Sequence, residues 1–142
     1  MANVYCIQSG LGKTYFCQHH AGFIDLDAGV FCEQEAYRTV YLKFLDFCIH
    51  TGYTVITSAE PWIIEYLQQR NYDFKLVYME LAGKDEVLKR IELRNQNHDN
   101  QWLHAYKVYY DKFYYYYENV DCKKIILKPG QYLSDILEKE PE

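Results

Sequence analysis

The sequence is poor in arginine and proline, and no apolar run approaches the length that spans a bilayer. Only four arginines and three prolines occur among 142 residues. The net charge of −5 supplies no extended cationic track, so we expect no binding to an extended nucleic acid. The lack of a long apolar segment predicts that the protein does not associate with a membrane through a spanning helix.

The cysteines also lack a pattern. Five are scattered along the chain, and no two form a C-x-x-C pair. This spacing argues against a zinc site or a disulfide framework and indicates reduced, packed thiols. Because no signal-peptide pattern precedes the first apolar segment, we predict a cytoplasmic protein. Apolar residues make up 49% of the chain, which is enough for one folded domain over residues 1–142.

Short apolar segments alternate with helical patterns along the chain. The segments predicted as strands are 4–6, 22–27, 53–59, 74–81 and 122–128, and the predicted helices are 13–20, 31–50, 61–70, 85–94, 101–119 and 132–139. In the second helix, the apolar residues at helical spacing are Ala36, Val40, Phe44, Phe47 and Cys48. This alternation predicts a three-layer α/β fold, a five-stranded parallel sheet with helices on both faces.

The segment after the first strand matches the end of the phosphate-loop pattern G-x-x-x-x-G-K-[ST]. Gly12, Lys13 and Thr14 match, whereas Ile7 stands where the first glycine belongs. Glycines allow backbone N–H groups to face a phosphate, a lysine reaches the β- and γ-phosphates, and a threonine hydroxyl ligates Mg²⁺. The alternative is a glycine turn that carries G-K-T by chance. The predicted nucleotide-binding residues are Ser9, Gly10, Leu11, Gly12, Lys13 and Thr14.

Acidic side chains follow the second strand. Asp25 and Asp27 occupy alternate positions, so they point the same way if the strand is regular. Phosphoryl transfer needs a metal and, for a hydroxyl acceptor, a base, and these carboxylates are the candidates. The alternative is that one of them caps the next helix. The third strand ends without an acid at Ser58, and we expect the following Glu60 to cap the third helix beside Pro61.

Two of the four arginines lie on one face of the fourth helix. Arg90 and Arg94 are four residues apart, and two guanidinium groups near a transferring phosphate would stabilise its developing charge. The alternative is that they pair with Glu86 or Glu92 on a solvated surface, where such pairs contribute little.

Sixteen tyrosines are far more than usual, and many lie in the fifth helix. Their helical spacing over 102–117 predicts that most pack in the core. Four consecutive tyrosines, 114–117, surround the helix, so some must face solvent or a partner. A homodimer through this Tyr-rich helix and a base-stacking surface are both open.

The loop 9–14, the segment Phe23-Ile24-Asp25-Leu26-Asp27 and the segment 88–94 together resemble the small P-loop kinases, which include nucleoside monophosphate kinases, shikimate kinase and gluconate kinase. The compact, tyrosine-rich chain also resembles kinases encoded by bacteriophages of low-GC hosts. The resemblance implies the sheet order 2-3-1-4-5, ATP as phosphoryl donor, Mg²⁺, and a short arginine-bearing lid at about 95–101. It also implies that Asp25 orients Mg²⁺ through water and that Asp27 contacts the acceptor or takes its proton.

The expected catalytic residues are therefore Lys13, Asp27, Arg90 and Arg94, with Thr14 and Asp25 at the metal. The expected function is ATP-dependent phosphoryl transfer to a small acceptor, a nucleoside or (deoxy)nucleoside monophosphate. Two alternatives stay open, a hydroxyl-acceptor kinase of the shikimate or gluconate type and a nucleotide-binding protein without turnover.

Overall fold

The computed structural model of the chain describes residues 3–26, 35–94 and 100–137, with side chains for 3–26, 36–93 and 104–137. Its strands are β1 Val4–Ile7, β2 Phe23–Leu26, β3 Thr54–Ser58, β4 Phe74–Met79 and β5 Lys123–Leu127. Its helices are α1 Lys13–His19, α2 Glu35–His50, α3 Pro61–Gln69, α4 Lys84–Arg94, α5 Asn100–Asn119 and α6 Leu133–Leu137. A 3₁₀ turn at Leu81–Gly83 separates β4 from α4.

The five strands form one parallel sheet in the order β2-β3-β1-β4-β5. The α/β class, the parallel sheet and its strand order are thus confirmed. β1 is the central strand, and its last residue, Ile7, stands in register with Ser58 of β3 and Val77 of β4. Parallel strands put all their carboxyl ends on one edge, so the loop after β1 emerges in the middle of that edge.

Buried side chains form one apolar cluster on each face of the sheet. The first joins strand residues to α2, α3 and Tyr117 of α5, and the second joins them to α1, α4, α6 and Tyr110 of α5. The strands can be apolar on both sides because both faces are covered. Within the described residues, no helix is long and apolar enough to cross a membrane.

Tyrosine hydroxyls of two helices donate hydrogen bonds to backbone carbonyls at or next to the strand ends. The Tyr41 hydroxyl of α2 donates a hydrogen bond of 2.7 Å to the Leu26 carbonyl, and the Tyr117 hydroxyl of α5 donates one of 2.7 Å to the Ala59 carbonyl. Tyr110 and Tyr117 are buried, as their spacing predicted, whereas Tyr115 is 72% exposed. Each buried phenol thus adds apolar area, and those of Tyr41 and Tyr117 also satisfy a backbone acceptor.

The start of α3 differs in one respect from the sequence-based expectation. Glu60 does occupy the N-cap position before Pro61, but its side chain makes no capping hydrogen bond. Its carboxylate instead accepts a hydrogen bond from the indole N–H of Trp62. The predicted cap position is therefore confirmed, but the carboxylate bonds the indole of Trp62 and not the helix backbone.

Candidate functional site

The loop between β1 and α1 is shorter than the sequence pattern suggests. Gln8 continues the sheet, because its N–H donates to the Val77 carbonyl at 2.9 Å and its side-chain oxygen accepts from the Met79 N–H at 2.9 Å. The preceding Ile7 is buried within β1 and has no left-handed backbone. The turn is therefore confined to residues 9–12, which we call the β1–α1 loop. A branched residue is compatible with position 7 because the chain is still extended there.

Both glycines of this loop are required by the backbone and by close neighbours. Gly10 has φ +89° and Gly12 has φ +90°, a region that other residues rarely adopt. A Cβ on Gly10 would lie 3.1 Å from a Val87 methyl carbon, and one on Gly12 would lie 3.3 Å from the Tyr132 ring. The loop thus packs closely against α4 and against the segment before α6. Leu11 between them is fully buried, and its carbonyl accepts the Leu133 N–H at 2.7 Å.

Lys13 and Thr14 form the first turn of α1. The helix begins after Gly12, whose carbonyl accepts the Phe16 N–H at 3.0 Å. The Lys13 Nζ lies 3.4 Å from the Ser58 Oγ at the end of β3, and Thr14 is exposed. The ammonium group is therefore held beside the loop at the carboxyl edge of the sheet, where a phosphate could approach it.

The charges of Lys13 and Asp25 both influence the thiol of Cys17 on α1. The pKa of Cys17 is raised to about 11, mainly by burial; the negative charge of Asp25 contributes to this rise, and the positive charge of Lys13 opposes it. Asp25 is exposed on β2, and β2 packs against α1, the helix that carries Lys13. Asp27, the second predicted acid, lies outside the described residues.

At magnesium-nucleotide sites, Mg²⁺ is held by one or two protein oxygens together with phosphate oxygens and water. The Thr14 hydroxyl and the Asp25 carboxylate are the described oxygens that would serve. In the part of the chain that the structure describes, no group of three His, Cys, Asp or Glu side chains could hold a metal by itself.

Arg90 is placed beside the β1–α1 loop but is engaged by the protein. Its guanidinium donates to the Gly10 carbonyl at 3.3 Å and to the Gln131 carbonyl at 3.1 Å, and it pairs with Glu86 at 3.2 Å. The arginine side chain is only 13% exposed. It thus joins the loop to the segment that follows β5. The sequence-based alternative of a pair with Glu86 is present, and its glutamate side chain is 39% exposed.

Arg94 is the last residue of α4, and its side chain is outside the described part of the structure. The predicted lid at about 95–101 falls largely on residues 95–99, which are outside it as well. The structure therefore brings together Gly10, Gly12, Lys13, Arg90 and, through Cys17, Asp25.

A cavity that sequence reasoning missed adjoins the β1–α1 loop. Its volume is about 350 Å³, and it is lined by Gly12, Tyr15, Tyr132, Ser134 and Asp135. The Asp135 carboxylate accepts the Tyr132 N–H at 2.8 Å and so fixes the backbone of one wall. Tyr15 directly follows Thr14, so its place beside the loop could have been anticipated. No sequence signal links Tyr132 to Gly12, because they meet only through the fold.

Comparison with protein-family models, with curated proteins and with solved structures finds no match to this chain. The fold and the loop therefore define the class, an α/β protein with a five-stranded parallel sheet and a glycine-lysine loop at its carboxyl edge.

Proposed function

We propose that the protein is an ATP- and Mg²⁺-dependent kinase that transfers a phosphoryl group to a nucleoside or (deoxy)nucleoside monophosphate. The observation that carries this proposal is the juxtaposition of Gly10, Gly12 and Lys13 with an adjoining cavity at the carboxyl edge of the sheet. Ligands of open parallel sheets bind at that edge. A chance G-K-T segment would have no reason to stand after the central strand beside such a cavity.

Each residue has a role that follows from its chemistry. Lys13 binds the β- and γ-phosphate oxygens, and the loop N–H groups over residues 9–12 donate to the same phosphates. Thr14 and Asp25 hold Mg²⁺, directly or through water. The bound nucleotide supplies the activated phosphoryl group. Tyr15 and Tyr132 offer rings against which a base can stack in the cavity.

The acceptor is the less constrained part of the proposal. Asp27 is the candidate base for a hydroxyl acceptor, and a monophosphate acceptor needs no such base but needs cationic partners. Arg94 and the segment 95–101 are the candidates for those partners. A hydroxyl-acceptor kinase of the shikimate or gluconate type is therefore the enzyme alternative, and an acceptor panel separates the two.

A second candidate function is nucleotide binding without turnover, and the placement of Arg90 favours it. Two carbonyls, Glu86 and Tyr132 already engage this guanidinium, so it is not directed at a transferring phosphate. The strand end that carries an acid in many nucleotide hydrolases carries Ser58 here. Both features would lower turnover and leave nucleotide binding unaffected.

The test is calorimetric titration of the protein with Mg·ATP, followed by turnover assays with nucleosides, nucleoside monophosphates and hydroxy acids. Lys13→Ala should weaken ATP binding roughly 10- to 100-fold, which is the effect of losing a charged hydrogen-bond donor. Lys107→Ala removes an equal charge from an exposed position of α5 and should leave the affinity unchanged.

Equal ATP affinity in the wild type and in Lys13→Ala would contradict the phosphate site. Binding that depends on Lys13, with no transfer to any acceptor in the panel, would support the second candidate over the kinase.

A further inference from the structure

Helix α2 carries two apolar stripes, and the core uses only one of them. Tyr41, Leu45 and Cys48 are buried against the sheet. A second stripe, which we call the outer stripe, is about half exposed in each member: Tyr37 48%, Val40 55%, Phe44 51% and Phe47 63%. The rings of Phe44 and Phe47 lie 6.4 Å apart at an angle of 28°, so they form one continuous surface. Large apolar side chains grouped in this way mark interaction sites more often than scattered ones do.

The outer stripe lies on the flank of α2 that faces away from α3. Helix α2 packs against β3, and its Tyr41 hydroxyl donates to the Leu26 carbonyl at the end of β2, the first strand in the sheet order of the described residues. The opposite flank of α2 is occupied, because Asp46 accepts hydrogen bonds from Tyr66 and Tyr72 on the side of α3. Helical geometry puts the outer stripe roughly half a turn from Asp46, on the side away from α3.

The spacing of the outer stripe suits a second copy of the same helix. Its members follow at intervals of three, four and three residues, which is the a/d spacing of a coiled-coil seam. This spacing reads the same in both directions about position 42. A two-fold axis at that position therefore places Tyr37 beside Phe47 of a second copy and Val40 beside its Phe44. Antiparallel alignment also opposes the two helix dipoles.

We propose that the outer stripe is the interface of an antiparallel homodimer, in which two α2 helices pack against each other. The four side chains expose roughly 400 Å² per copy, given that a large aromatic residue buries about 150–250 Å². Two copies would bury roughly 800 Å² in the stripe alone. The exposed neighbours Ala36 and Lys43, which helical geometry puts beside Phe47, bring the total toward the about 1,200 Å² of a specific interface.

The test is sedimentation and light scattering of the full chain. The wild type should be a dimer at micromolar concentration, and the double variant V40K/F44K should be a monomer. Four lysines would then meet in an apolar seam, so the dissociation constant should rise at least about 100-fold. Both residues are half exposed, so each monomer should keep its circular dichroism and melting behaviour.

A charge-exchange pair makes the assignment specific. V40E/F44E should likewise be monomeric alone, and an equimolar mixture of V40E/F44E with V40K/F44K should restore a heterodimer. Aggregation through an unfolded state would not restore a dimer in the mixture. The control is Tyr115→Lys, which puts a single lysine on the exposed aromatic face of the Tyr-rich helix α5 and should leave the dimer intact.

A wild type that stays monomeric at the highest soluble concentration would overturn the proposal. A dimer that survives V40K/F44K but dissociates in Tyr115→Lys would overturn it as well, and it would place the interface on α5. Mg·ATP binding by the monomeric variants is measured in parallel, so a wrong interface and a wrong nucleotide site give different results.

Discussion

The guanidinium of Arg90 lies over the ring of Tyr132, with 3.8 Å between Cζ and the ring centroid. The same ring stands 3.3 Å from the position that a Cβ on Gly12 would take and forms a wall of the cavity. One contact thus couples α4, the β1–α1 loop and the segment after β5. A guanidinium so close to an aromatic face is also attracted by the ring electrons.

Replacing Arg90 separates a structural role from a catalytic one. Arg90→Lys and Arg90→Ala should both lower the free energy of unfolding by about 2 kcal/mol, because two carbonyls lose a charged donor and lysine lacks the planar fork. Lys89→Ala, at an exposed neighbouring position, should have little effect. Urea unfolding measures all three. If Arg90→Ala kept its stability and lost only kcat, the arginine would act on the transferring phosphate, as its sequence position suggested.

Gly12 can be tested against a glycine that has the same φ but open space at the Cβ position. Gly12 and Gly52 both have φ +90°, but a Cβ on Gly52 would meet nothing within 4 Å. Gly52→Ala should therefore cost about 1 kcal/mol from backbone strain alone. Gly12→Ala should cost more, because the methyl group also displaces Tyr132, and it should weaken Mg·ATP binding. Equal unfolding energies for the two variants would show that Tyr132 gives way freely.

The thiol of Cys17 reports on the two charges that the site requires. Asp25→Asn should lower the pKa of Cys17, because a negative charge that disfavours the thiolate is removed. Lys13→Ala should raise that pKa, because a positive charge that favours the thiolate is removed. The pH dependence of Cys17 alkylation, followed on its own peptide by mass spectrometry, measures both shifts. Shifts of the same sign in the two variants would contradict the arrangement.

Glu118 should make stability depend on pH in the acid range. Its carboxylate accepts hydrogen bonds from the Tyr114 and Tyr78 hydroxyls, and these lower its pKa from the ordinary value of 4.5. A lowered pKa in the folded state stabilises the protein above the unfolded-state pKa, and this contribution disappears as the pH falls through the folded-state value. Glu118→Gln should therefore be less stable than the wild type at neutral pH, and the difference should vanish in acid. Thermal melts across that range measure it, and a constant difference would refute the linkage.

The strands could be predicted because their apolar runs are short and, as in Thr54–Ser58, rich in β-branched residues, which favour strands. The face of α2 that packs against the sheet could not be predicted. Val40, Phe44 and Phe47 have the periodicity of a core face, yet the core takes Tyr41, Leu45 and Cys48. Periodicity gives the spacing of an apolar stripe, and a helix with two stripes leaves open which of them meets the sheet.

Some residues of the candidate site could be predicted from the sequence, and others could not. Gly12 and Lys13 were predictable because a local segment carries both the turn and the charge. The engagement of Arg90 was not, because two of its acceptors are the backbone carbonyls of Gly10 and Gln131. Every residue has a carbonyl, so no side-chain pattern in the sequence marks these two as acceptors.

The buried phenols have a consequence at the alkaline end of the pH scale. Burial raises the pKa of Tyr72 to about 12 and also raises the pKa of Tyr78, Tyr110 and Tyr117 above the ordinary value of 10.0. Above that ordinary value the unfolded chain loses these protons first, so each step toward higher pH favours unfolding. Hydroxide should thus act on this protein as a denaturant, and the ultraviolet absorption of the phenolates should rise in the same cooperative step in which the fold is lost.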